Sequence, residues 1–323
     1  MNLDFDAYVT AAAFTREGFA FALGDGTVRL EGAEPIAAHD GAILCAAVHP
    51  SGEGLVTGGD DGRVVWSRKS GASELAKIKG RWIDAVASAP ATGLIAFAAG
   101  REVRILDIAD PAFSTTYAHE KSVADVTFDP KGRRVAAATY NGVALWYARI
   151  ADQKPLFLKW AGSHTTVAFS PDGKFLMSAM QENQLHGWRL SDAKNLRMGG
   201  YPTKVKSLAF LAKGAALATS GSKGAVVWPF SGANGPMGRE AAEIGFDEAA
   251  FVTRVVATPD RTVIAAGLDD GRVWVMEAAS NNRADVRKDV KDGAPISALA
   301  ITPDGSRIAW GDEAGAAGVA SGL

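Results

Sequence analysis

The chain has a single cysteine, Cys45, in 323 residues. No intrachain disulfide can form and no CxxC zinc motif exists, which fits a reducing compartment. Long apolar runs are also missing, and no uncharged stretch approaches the length of a membrane span. Residues 1–6 carry two acids and no basic residue, and the apolar patches at 11–13 and 19–23 are too short and interrupted for a secretory signal. Neither charge sign dominates: 34 basic residues face 36 acidic ones, a formal net charge of -2. That balance argues against the basic face a duplex-DNA binder needs, so nucleic acid is not an expected ligand. These absences predict a cytoplasmic protein without membrane attachment.

What is present is a repeat. Turns begin at Arg16, Pro50, Pro90, Pro130, Pro171, Ala212, Pro259 and Pro303, at intervals of 34 to 47 residues. A period near forty in a strand-rich chain marks a modular array. The fourth copy shows the parts. Residues 122–129 alternate small polar and apolar side chains, the period-2 pattern of a strand with unequal faces. Pro130-Lys131-Gly132 turns the chain, since proline fixes φ and glycine permits a positive one. Residues 134–139 form an alanine-rich run suited to a strand buried on both faces. Asn141-Gly142 then gives a hairpin signal, and a third strand ends on Trp146. Copies two, four and six carry a hairpin one residue shorter than the others.

Small residues in the second strands let neighbouring sheets approach closely. Four-stranded sheets arranged radially form a β-propeller, which leaves only short, protected edges. The expectation is therefore an all-β chain with residues 1–323 as one domain. It predicts eight four-stranded blades, with seven as the alternative. Residues 2–5 are expected to supply the outer strand missing from the last copy and so close the ring.

The histidine before a first strand, the Pro-Asp-Gly turn, the Asp-Gly hairpin and the closing tryptophan resemble the WD40 repeat family along essentially the whole chain. The resemblance implies a hydrogen-bonded tetrad of histidine, Ser/Thr, aspartate and tryptophan within a blade. His39, Thr57, Asp61 and Trp66 come closest, although Trp66 stands one place early. Copy four keeps His119 and Trp146 but offers Ala137 and Asn141, and copy six has Tyr201 where the histidine belongs. With the tetrad mostly absent, apolar packing is expected to carry stability. Residues 181–188 and 227–230 also look like compact stand-alone α-proteobacterial WD40 proteins, some of which accompany zinc-handling GTPases.

The resemblance further implies a top face for binding peptides or proteins. It maps onto Tyr8, Trp82, Lys121, Tyr140, His164, Gln181, Tyr201, Lys204 and Phe251. Aromatic and long polar side chains at loop positions suit recognition. The expected function is thus a non-catalytic scaffold for an unidentified cytoplasmic protein or peptide, with a zinc-handling GTPase as one candidate partner. The alternative is a propeller enzyme, lactonase- or quinoprotein-like, with a metal or cofactor over the central channel. No HExxH, EF-hand, phosphate-loop or GxSxG motif supports catalysis, so no catalytic residue, metal or cofactor is expected.

Overall fold

The computed structural model describes every residue except Asn281, Asp289, Gly322 and Leu323. The fold is all-β and of the β-propeller class, with one short 3-10 turn at Ala212–Gly214. The strands among the described residues fall into seven antiparallel sheets, six of four strands and one of six. Eight separate blades are therefore not supported, and seven, the alternative, is the sheet count. Copies four and five share the six-stranded sheet. The reason is local: Leu156–Phe169 runs for 14 residues from the last strand of one copy into the first strand of the next. No loop interrupts it, so ladder pairing carries through.

The chain divides into two compact units, Ala13–Phe169, and Met1–Ala12 with Ser170–Leu323. In the first, Leu55–Gly59 and Leu94–Ala99 are second strands buried at every position. Their composition explains this. Ala96, Ala98 and Phe97 are fully enclosed, and Phe97 packs among Val56, Ile83 and Val86. Complete burial of such a phenylalanine stabilises by about 1.5–3 kcal/mol. A second cluster joins Ala98, Val126, Phe128, Ala137 and Trp146. Alternation holds in the outer strand Ser114–Ala118, where only Thr115 and Tyr117 are buried.

The second unit shows how the sheets come together. A Cβ on Gly267 would lie 2.4 Å from Ile296 Cγ2, and one on Gly311 would lie 2.4 Å from Val9 Cγ1. Neither glycine has positive φ; each is needed because a β-branched side chain at the start of the next first strand presses onto the backbone. The first unit repeats the device with Gly58 beneath Ile83. Asn2–Asp4 pairs antiparallel with Ala316–Ser321, through Asn2 opposite Gly318 and Asp4 opposite Ala316. The amino-terminal strand thus completes the last sheet, as the pattern of missing strands predicted. The Met1 ammonium also donates to Val319 O at 2.8 Å.

Candidate functional site

Copies two, four and six place Thr57 and Trp66, Ala137 and Trp146, and Thr219 and Trp228 nine positions apart. Their outcomes differ. In copy two, His39 Nε2 lies 2.8 Å from Thr57 Oγ1, and its Nδ1 lies 3.0 Å from Asp61 Oδ1. Burial opposes ionisation of Asp61. The His39 bond and the N–H groups of Arg63 and Asp40 outweigh it, holding the carboxyl below the usual carboxylate range. Trp66 takes no part. It stacks on His49 at 3.8 Å and donates from Nε1 to Glu53 O at 2.8 Å. Burial, then the Arg68 charge, brings His49 down to about 4.

Register decides this. Thr57 pairs with Val65, so Trp66 points to the opposite face of its strand. Thr219 pairs with Val226, one residue tighter, and Trp228 therefore shares the face of Thr219. There Trp228 Nε1 donates to Tyr201 Oη at 2.6 Å, and Tyr201 Oη lies 2.7 Å from Thr219 Oγ1. Tyr201 thus performs the histidine's part. It is 8% exposed, and burial pushes its hydroxyl up to about 12. It is an interior residue and not part of a recognition face. The expectation that copy six lacks a polar cluster is corrected with it.

Copy four has the geometry without the hydroxyl. Ala137 replaces the threonine, and both His119 Nε2 and Trp146 Nε1 are buried with no hydrogen-bond partner. Trp146 instead stacks on Tyr117 at 4.7 Å and meets His119 edge-on at 5.6 Å. Burial lowers His119 to about 4, so the imidazole is neutral at physiological pH.

The remaining predicted residues divide by unit. In Ala13–Phe169, Trp82 is 63% and Tyr140 54% exposed, and Lys121 is exposed. His164 is enclosed, with Nε2 3.1 Å from Trp160 O, so it too is removed from the recognition surface. In the other unit, Tyr8 is exposed and Phe251 half-buried. Lys204 Nζ donates to Gln181 Oε1 at 2.6 Å, which leaves these two satisfying each other. Burial, followed by the charge of Lys206, lowers Lys204 from its ordinary value.

Backbone bonds bring Trp82, Lys121 and Tyr140 to one end of their unit. Asp84 Oδ2 accepts from Gly100 N–H, and the Arg81 guanidinium lies over Gly100. His119 and Val123 then donate to Arg101 O and Gly100 O. At that end Tyr140, Lys121, His119, Trp146, Pro155 and Phe157 line a cavity of about 370 Å³. Sequence reasoning missed Arg81 and Arg101, which flank the exposed tryptophan and occupy the next hairpin turn. Among the described residues, no three His, Cys, Asp or Glu side chains converge as metal ligands. No helix among them is long and apolar enough to cross a membrane.

Residues 34–66 and 112–147 match the family described as WD domain, G-beta repeat. These segments hold His39 to Trp66 and His119 to Trp146. Two segments of the chain thus match the WD40 repeat. Over 175 residues, 52% of its length, the chain is 26% identical to Telomerase protein component 1 of Rattus norvegicus. The match spans only 6% of that relative. The crystal structure of the computationally designed Ika8 protein resembles this chain with a TM-score of 0.77 at 17% identity. It covers 98% of this chain and 97% of the designed one, a likeness of fold.

Proposed function

We propose that this chain is a WD40-type, non-catalytic protein-interaction module. It binds a protein or peptide partner at the end of the Ala13–Phe169 unit that carries Trp82, Lys121 and Tyr140. The observation behind this reading is the exposure of two large aromatic side chains at one end, Trp82 in a loop and Tyr140 on a strand beside Asn141-Gly142. Exposed tryptophan and tyrosine on a rigid sheet framework are the side chains that dominate interface energies. The adjoining cavity offers a pocket for a side chain of the partner.

The test is recovery of partners from native lysate by the wild-type chain and by a Trp82→Ala/Tyr140→Ala variant with the same melting temperature. Loss of two hot-spot residues, each worth about 2 kcal/mol or more, reduces recovery of a specific partner at least tenfold. Equal recovery of every partner by the two proteins removes this surface from consideration.

A further inference from the structure

We infer that the partner segment is acidic, with an apolar side chain among its carboxylates; this rests on the interaction reading above. The same end of the unit carries Lys79, Arg81, Arg101 and Lys121, all exposed. Among the described residues none of the four has an ion pair or a side-chain hydrogen bond. By contrast, Arg63 meets Glu74 at 2.8 Å, and Arg104 meets Glu102 at 3.0 Å. Cations left without partners around exposed aromatic rings are matched by a ligand that brings the opposite charge.

Contacts make the patch continuous. Ile78, Lys79, Gly80, Arg81 and Trp82 form one loop, which Ile78 N–H and Arg81 N–H hold by donating to Gly62 O and Ile78 O. Arg81 reaches over Gly100, next to Arg101, and Arg101 O accepts from His119 N–H two residues before Lys121. Tyr140 and Lys121 then share the cavity wall with Phe157. That cavity is apolar at Ala118, Ala144, Pro155 and Phe157, and suits one aliphatic or aromatic side chain.

Two anions, Asp84 and Glu120, stand among the four cations. They favour a peptide over a single-stranded nucleic acid. A peptide can place discrete carboxylates opposite individual cations, whereas an unbroken phosphate backbone meets the anions as well. Base stacking on Trp82 and Tyr140 is the competing use of the same rings.

The test pans a displayed random peptide library on the full-length chain. Enriched peptides are then synthesised with a fluorescein label and measured by anisotropy, beside a labelled twelve-residue oligouridylate. The expected peptides are rich in Asp and Glu around a Leu, Phe or Trp. Their affinity falls at least tenfold in Arg81→Glu/Arg101→Glu, falls at least tenfold in Tyr140→Ala, and weakens with salt. It is unchanged in Lys194→Glu, a charge reversal at an exposed site of the other unit. Enriched peptides without acids, or with affinity indifferent to Arg81→Glu/Arg101→Glu, overturn the acidic inference. If those peptides still depend on Tyr140, the interaction reading survives. Oligouridylate binding tighter than any peptide overturns the inference in favour of nucleic acid. A library with no enriched peptide removes both readings.

Discussion

Trp228 Nε1 donates to Tyr201 Oη at 2.6 Å, so a tyrosine replaces the histidine of a WD40 tetrad in copy six. The hydroxyl serves two neighbours, Trp228 and Thr219, inside a cluster that includes Met198, Val205 and Leu217. A phenol can do this because it both donates and accepts.

Tyr201→Phe keeps the ring and removes that hydroxyl. The half-buried Trp228 N–H loses its acceptor, and the buried Thr219 hydroxyl loses one partner while keeping Val226 O. The expected cost is about 1–3 kcal/mol, the penalty for leaving a buried polar group unmade. Urea denaturation followed by tryptophan fluorescence reads it. A loss no larger than that of an exposed control such as Tyr147→Phe would refute the polar role.

In copy four the missing group is the opposite one. Ala137→Thr places a hydroxyl where Thr57 stands in copy two, facing His119 Nε2 and Trp146 Nε1. Ala137→Val adds similar volume without the hydroxyl and so reports the crowding alone. The threonine variant is expected to exceed the valine variant in stability by about 1 kcal/mol. Equal stabilities would mean that the hydroxyl finds neither nitrogen.

The Asp125 carboxylate accepts from Val126 N–H and Val167 N–H, both at 2.9 Å, and burial raises it to about 7. The nearby Cys45 thiol is pushed upward as well, chiefly by its own burial. Asp125 lies higher in the folded chain than in the unfolded one. Its contribution is therefore intact below the unfolded carboxylate range and is lost as pH rises through about 7. His49 and His119, both lowered, act the other way: their contribution is present above the ordinary histidine value and is lost as pH falls toward about 4. Asp125→Asn isolates the carboxylate. Between pH 5 and pH 8 the stability of the variant should rise relative to wild type. A difference independent of pH would show that Asp125 is ionised throughout.

Much of the fold is legible in the chain. The Asn141-Gly142 signal coincides with two positive φ values, 69° and 153°, where the chain doubles back so that Ala148 N–H reaches Arg133 O. The alanine-rich second strands are buried as their composition requires, and Asn2–Asp4 fills the vacancy in the last sheet. The sheet count was not legible, because a strand that continues through Gly162 has the same local composition as two strands joined by a turn. At the candidate site, Trp82 and Lys121 are exposed in loops and Tyr140 is exposed on a strand. Tyr201 and His164 occupy comparable sequence positions but face inward.

Residue order alone specifies the repeat, the strand and turn order within each copy, and the two incomplete ends that complement one another. These follow from local physics: side-chain alternation, proline and glycine torsions, and the need to bury alanine-rich runs. Which tryptophans complete a polar cluster is settled only by pairing between strands. The spacing from Thr57 to Trp66 equals that from Thr219 to Trp228, yet one register places the tryptophan on the far face and the other places it against Tyr201. Ladder pairing joins segments distant from any local signal, and a shift of one residue exchanges the two faces.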